Sequence, residues 1–224
     1  PQAGEFAGDD RDAVAAWLPA QVPGDVRADL LAAGRIPDPY IGDNLRESAW
    51  VEARDWWYRC RLRAPLEAGQ RAFVTFAGID YCSAVFAGPA LLGRHVGMFS
   101  PQTYELTPFL QREPELDLAV RIAGSASLPR PTVTPAVRLT RALAGALSSQ
   151  LAEPYPDRLA TLKMPMSYGW DFAPRLLGMG IWDDVTLKVS GPAAILDLWP
   201  RPQWPAGPFV APREALLQVE IDMD

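Results

Sequence analysis

Apolar and polar residues alternate along several short stretches of the chain. In the stretch DWWYRCRLR the apolar side chains fall on one face and the arginines on the other. A period of two is typical of a strand that is half buried in a sheet. The same alternation recurs down the chain, so that strands are predicted at residues 55–63, 71–77, 81–87, 115–123 and 183–191.

Helical patterns are few. Residues 25–34 predict one short helix, with Asp25 as its N-cap and Gly34 as its stop. Residues 124–160 break the strand rhythm with a Pro-rich part, followed by leucines at every fourth position, which indicates a helix. We interpret this stretch as a helical and Pro-rich insertion between strands, and its leucines are Leu139, Leu143, Leu147 and Leu151.

Many short strands separated by turn residues predict an all-β fold, a jelly-roll β-sandwich with one insertion. The 23 Pro and 17 Gly residues supply the turns. After Gly191 the composition changes, and two further strands flank a Pro-rich connection. Because two strands do not bury a core alone, we assign residues 1–191 to the jelly roll and 192–224 to the opening strands of a second β domain.

Charge and hydropathy exclude several classes of protein. The net charge of −6 argues against nucleic-acid binding, and there is no run of 18 apolar residues that would span a membrane. The N-terminus has no signal-peptide pattern, which favours a cytoplasmic protein. The chain begins without Met, so a removed leader would leave no trace in it.

Motifs for metal, cofactor or nucleophilic chemistry are missing from the sequence. His95 is the only histidine, so we expect no metal site. The stretch GMGIWD lacks the third glycine of a dinucleotide fingerprint, and GPALLGRH lacks the Lys-Ser/Thr pair of a phosphate loop. No GxSxG nucleophile motif occurs. We therefore expect no cofactor, and we do not expect the chain to be a complete enzyme.

The stretch SYGWDFAPR gathers the candidate binding residues Trp170, Asp171 and Arg175. A Trp ring offers an apolar aromatic face to a ligand, and an ionised Asp accepts two hydrogen bonds from it. Arg175 is placed to orient Asp171 or the loop from behind. The residues alone leave a second interpretation open, a buried Trp beside an Asp that caps a turn. We expect Trp56, Trp57 and Trp182 to pack in the core.

Three longer stretches carry a family resemblance: residues 17–59, 74–110 and 163–187. The motifs VPG…DL…IPDPY and GWD…PR…GIW within them resemble the N-terminal sugar-binding jelly roll, a galactose-binding-domain-like fold, of glycoside hydrolase family 2. The resemblance is to the β-mannosidase branch of that family. It covers residues 14–190, about four-fifths of the chain.

The resemblance implies a function for the whole protein. Enzymes of this branch hydrolyse terminal β-D-mannosides with retention, and their catalytic glutamates lie in a later barrel domain. Trp170 and Asp171 would then line the subsite for the terminal mannose of a β-mannoside or related oligosaccharide. This chain would pack against the barrel and be inactive alone. Residues 192–224 would open an immunoglobulin-like sandwich.

The chain departs from the family pattern at Phe172 and Ala173, where Trp and Gly are usual, and at Leu45, where Glu is usual. Three alternative functions remain open at this point. The first alternative is a free-standing carbohydrate-binding module, and the second is a structural interaction domain. The third is part of another family 2 hydrolase that resembles β-galactosidase or β-glucuronidase.

Overall fold

The computed structural model describes residues 2–6, 17–130, 139, 142–143, 156–203 and 216–223. Its strands are β1 Gln2–Phe6, β2 Trp17–Pro19, β3 Asp55–Arg63, β4 Arg71–Phe76, β5 Cys82–Ala87, β6 Ala90–Val96, β7 Gln102–Glu105, β8 Glu115–Ile122, β9 Val185–Ser190, β10 Ile195–Gln203 and β11 Leu216–Met223. The α-helices are α1 Val26–Ala32, α2 Asn44–Glu47 and α3 Thr107–Leu110. Short 3₁₀ helices cover Ala49–Ala53, Ser125–Ser127, Pro156–Leu159 and Pro165–Tyr168. Within these ranges, no helix has the length and apolar character needed to cross a membrane.

Two antiparallel sheets form a β-sandwich. The larger sheet has the strand order β2-β1-β3-β8-β5-β6, and the smaller has β7-β4-β9. Strands β4 and β5 follow each other closely in sequence but belong to different sheets, so their connection at Gly78–Asp80 crosses from one sheet to the other. The all-β jelly-roll sandwich predicted from the alternation is confirmed.

Apolar side chains from both sheets meet in the core. The aromatic residues of β3 anchor it, since Trp56 and Tyr58 are almost fully buried and pack in one cluster with residues of β4, β5 and β8. Trp57 points to the other face of β3, where it is buried beside Ala119. The expectation that Trp56 and Trp57 pack in the core is therefore confirmed. Other members of the main cluster are Val74, Phe76, Val85, Val120 and Ile122.

Helix α1 covers one end of the core and begins as the sequence predicts. Asp25 is its N-cap, because the Asp25 Oδ1 atom accepts a hydrogen bond of 2.7 Å from the Arg27 backbone N–H. The Oδ2 atom accepts from the backbone N–H of Met179 at 2.8 Å. One carboxylate thus starts the helix and ties it to the segment that precedes β9.

Trp182 differs from its predicted position in the core, because 38% of it is exposed. Its indole lies over Gly78, where an added Cβ would come within 2.4 Å of the ring, and its Nε1–H donates to the Met98 carbonyl at 3.0 Å. The indole is thus held against backbone at the surface. The helix predicted in the 124–160 insertion lies mostly outside the described residues, which include only Leu139 and Leu143 of its leucines.

Strands β10 and β11 pair as an antiparallel hairpin with one apolar face. On that face Leu198 lies opposite Ile221, and Pro200 lies opposite Val219. Leu198, Val219 and Ile221 are 44–50% exposed, which is unusual for apolar strand residues. The assignment of 192–224 to a second domain stays a prediction.

Candidate functional site

The predicted binding residues lie in a tight turn at the surface. The Trp170 backbone N–H donates to the Ala173 carbonyl at 2.9 Å, and the Ala173 N–H donates to the Trp170 carbonyl at 3.1 Å. Asp171 and Phe172 therefore form a two-residue tip between paired ends. We call residues 170–173 the tip turn. Trp170 is 54% exposed and Phe172 84% exposed, and Asp171 is also exposed.

Buried residues hold both ends of the tip turn. On the N-terminal side a 3₁₀ helix ends at Gly169, whose φ of +112° is accessible to glycine but strained for other residues. On the C-terminal side the Leu176 N–H donates to the Ser167 carbonyl at 2.8 Å. Tyr168 and Leu177, each 2% exposed, pack in one small cluster beneath the turn. The tip is thus exposed while its supports are rigidly packed.

A buried ion pair fixes the segment that leads into the turn. The Lys163 Nζ atom donates to Asp80 Oδ1 at 2.5 Å and to the Gly178 carbonyl at 2.8 Å. Burial raises the pKa of Asp80, and the charge and hydrogen bond of Lys163 offset part of that rise. The Tyr81 hydroxyl accepts from the Leu162 N–H at 3.0 Å. Three hydrogen bonds therefore hold residues 162–163 in place.

Arg175 follows the tip turn and forms an ion pair with Glu52 in the Ala49–Ala53 helix. The second Glu52 carboxylate oxygen lies 3.8 Å from a terminal nitrogen of Arg27. Arg27 also donates to the Ser48 carbonyl at 2.6 Å. The structure thus brings Arg175 to Glu52. The role predicted for Arg175, to orient Asp171 or the loop from behind, stays a prediction.

The exposed groups of the turn offer an aromatic face, a carboxylate and a nearby cation. The Arg158 guanidinium carbon lies 5.9 Å from the centre of the Trp170 ring. This is within the range of a cation–π contact. Such a set is suited to binding a polyhydroxylated ligand. Among the described side chains, no group of three or more His, Cys, Asp or Glu residues could hold a metal ion.

Sequence reasoning found the exposed tip but missed most of its supports. Glu52 lies 123 positions before its partner Arg175, and Lys163 lies 83 positions after Asp80. Neither pair leaves a local pattern in the sequence, because each forms only when distant segments pack. Arg27 is missed for the same reason.

The family model of the glycosyl hydrolase 2 galactose-binding domain-like domain matches residues 5–183. Beta-mannosidase B of Aspergillus clavatus is 31% identical over 186 residues, which is 82% of this chain and 21% of that protein. Beta-mannosidase B of Aspergillus terreus is 29% identical over 207 residues, covering 92% of this chain and 24% of that protein.

Among solved structures, the beta-D-mannosidase of Dictyoglomus thermophilum superposes with a TM-score of 0.69 at 28% identity, over 100% of this chain and 25% of that chain. The chain thus spans about a quarter of the length of the relatives it matches. The family match covers the tip turn and most of the sandwich, and it ends just before β9. The chain therefore belongs to the galactose-binding domain-like family found in glycosyl hydrolases of family 2.

Proposed function

We propose that this chain is the N-terminal, non-catalytic domain of a retaining glycoside hydrolase that acts on terminal β-D-mannosides. The observation that carries this proposal is the similarity to beta-mannosidases over most of this chain but only about a quarter of theirs. The remaining length would contain the catalytic barrel. In this proposal the tip turn forms one wall of the mannose pocket.

The chemistry of the tip turn supports this role. Trp170 would lie against the C–H face of the sugar, where its ring excludes water from that side. Asp171 would accept hydrogen bonds from two neighbouring hydroxyls, and such charge-assisted bonds are stronger than neutral ones. Arg175 would hold the turn from behind. These groups bind and orient the sugar, while proton transfer and nucleophilic attack belong to carboxylates elsewhere.

Exposed apolar side chains before the turn support packing against a further domain. Large apolar groups that cluster on a surface are typical of interfaces. We propose that the catalytic barrel covers these residues and thereby places the tip turn at its pocket. The residues, which are 47–72% exposed, are Leu159, Leu162, Met164 and Met166.

The apolar face of the β10–β11 hairpin supports the second domain. A two-stranded sheet with a hydrophobic face gains independent stability only when another layer covers that face. We propose that further strands of an immunoglobulin-like sandwich supply this layer. The boundary at residues 191–192 then separates two domains of the same longer protein.

The experiment compares this chain with the longer protein on an aryl β-mannoside. We expect turnover by the longer protein and none by the 224-residue chain. Asp171→Ala in the longer protein should lower kcat/KM by roughly 10- to 150-fold, as loss of a hydrogen bond to a charged group does. Asp117→Ala, which removes an exposed carboxylate on β8, is the matched control and should leave kcat/KM unchanged.

Other outcomes would contradict the proposal. Turnover by the chain alone at the rate of the longer protein would place catalysis within this domain. A preference of the longer protein for aryl β-galactosides or β-glucuronides would assign it to another branch of family 2. Binding of mannose by the isolated chain, with no turnover by the longer protein, would identify a carbohydrate-binding module.

A further inference from the structure

Glu52 is the meeting point of two arginines. One carboxylate oxygen pairs with Arg175, and the other lies 3.8 Å from Arg27. The Glu52 side chain is 13% exposed and that of Arg27 is 7% exposed, while that of Arg175 is 25% exposed. The bridge is therefore mostly buried on the Arg27 side and more open on the side of the tip turn.

The base of this bridge is firmly held. Arg27 donates to the Ser48 carbonyl at 2.6 Å, and its backbone N–H is bonded to the Asp25 cap. The helix that contains Glu52 is tied to the core by the Trp56 Nε1–H, which donates to the Val51 carbonyl at 2.8 Å. Glu52 therefore presents its carboxylate to Arg175 from a fixed position.

Without the carboxylate, two like charges would face each other. The pKa of Arg27 is lowered overall, mainly by burial, and the positive charge of Arg175 contributes to this lowering. The carboxylate of Glu52 acts in the opposite direction and raises the pKa. Arg27 has little freedom to move, because its side chain is buried and bonded. Repulsion would therefore displace Arg175, which is more exposed and lies two residues after the tip turn.

We propose that Glu52 is a positioning residue for the tip turn: by bridging Arg27 and Arg175 its carboxylate sets the orientation in which Trp170 and Asp171 meet the sugar. This inference rests on the proposed function. It assigns to the Ala49–Ala53 helix, which lies far from the turn in sequence, a role in sugar recognition. Glu52 itself needs no contact with the sugar.

The test is made in the longer protein with an aryl β-mannoside. Glu52→Gln removes the charge but keeps the size of the side chain, and we expect kcat/KM to fall roughly 10- to 100-fold, as a displacement of about 1 Å at a binding group does. Glu105→Gln is the matched control, because it breaks a similar ion pair with Arg71, 3.1 Å long, on β7 and β4. We expect that control to retain full kcat/KM.

A double-variant measurement separates positioning from general loss of stability. If Glu52 acts through the tip turn, Glu52→Gln should lower kcat/KM by a smaller factor in the Asp171→Ala background than in the native protein, because only the orientation of Trp170 is then left to disturb. Arg175→Lys, which keeps a charge for Glu52 to bind, should retain more kcat/KM than Arg175→Met. These arginine variants also provide the test if Glu52→Gln does not fold.

The outcomes distinguish the two proposals. If Asp171→Ala has no effect on kcat/KM, the proposed function of the turn is wrong. If Asp171→Ala lowers kcat/KM but Glu52→Gln behaves like Glu105→Gln, only the role of Glu52 is overturned. Fully additive losses in the double variant, or equal losses in Arg175→Lys and Arg175→Met, would also overturn it.

Discussion

The Lys163 ammonium and the Asp80 carboxylate lie 2.5 Å apart and are 3% and 9% exposed. The pair joins the segment before the tip turn to the crossing between β4 and β5. A buried charge that loses its partner is strongly destabilising, although a complete pair adds little net stability. Moving or replacing Lys163 is therefore expected to lower the stability of the fold.

We expect Lys163→Met to lower the free energy of unfolding by about 3–5 kcal/mol, because it leaves the Asp80 charge buried and unpaired. Urea denaturation followed by Trp fluorescence measures this change. Adding Asp80→Asn to that variant should recover much of the loss. Asp117→Asn is the control, since it breaks an exposed pair with Arg61 and should cost less than about 1 kcal/mol. Equal losses in the buried and exposed variants would refute the prediction.

Gly180 lies where two backbone segments come close together. An added Cβ would lie 2.4 Å from the Gly24 carbonyl oxygen, and the Gly24 segment is held in place because its backbone N–H donates to the Ile181 carbonyl at 2.8 Å. We expect Gly180→Ala to destabilise the domain by about 1–3 kcal/mol through overpacking. Gly191→Ala has no atom within 4 Å of its added Cβ and should be nearly neutral. Thermal melts of the two variants check the difference.

The partly buried carboxyl group of Asp29 leads us to expect that the stability of the fold depends on pH. Burial raises its pKa, the hydrogen bond from the Gln21 N–H offsets part of this rise, and Asp25 adds to it. The pKa of Asp29 is higher in the folded state than in the unfolded state, where it is taken as the ordinary 3.8, so protonation of Asp29 stabilises the fold. This contribution is complete below pH 3.8 and is lost as the pH rises through the folded-state pKa.

Asp29→Asn has no such titration, so its stability relative to the native chain should rise from acid to neutral pH. Urea denaturation below pH 3.8 and at neutral pH measures the change. A stability difference that stays constant or falls between these two conditions would show that Asp29 does not titrate in this way.

Trp170 predicts a graded effect on the reaction of the longer protein. Trp170→Ala removes the whole aromatic face and should cost about 1.5–3 kcal/mol of binding, as for other large apolar side chains. Trp170→Phe keeps part of the face and should cost less. The matched control is Trp199→Ala, because Trp199 is 58% exposed and also has an arginine guanidinium, that of Arg201, over its ring. Similar kcat/KM losses for Trp170→Ala and Trp199→Ala would contradict a specific role for Trp170.

The alternation of side chains predicted most of the larger elements. The strand predicted at 55–63 occurs as Asp55–Arg63, and the helix predicted at 25–34 occurs as Val26–Ala32. Strands Ala90–Val96 and Gln102–Glu105 were not predicted, because the first is interrupted by Gly93 and the second has only four residues. Periodicity needs several uninterrupted repeats before it separates a strand from a loop.

The turn residues were predictable as a surface motif, whereas their supports were not. The aromatic ring of Trp170 and the carboxylate of Asp171 belong to adjacent residues, so the pair is visible in the sequence itself. The Glu52–Arg175 pair depends on the packing of a short helix against a segment that follows it by more than a hundred residues. Which of many acids meets which arginine is decided by tertiary structure alone.

The reciprocal backbone bonds between Trp170 and Ala173 also bear on how specificity can diversify. Because backbone hydrogen bonds alone close the turn, the side chains at positions 171 and 172 can be replaced by others without altering the length or path of the chain. An insertion between them would instead break both bonds. Related proteins that favour other sugars are therefore expected to vary at these two tip positions while keeping the loop length constant.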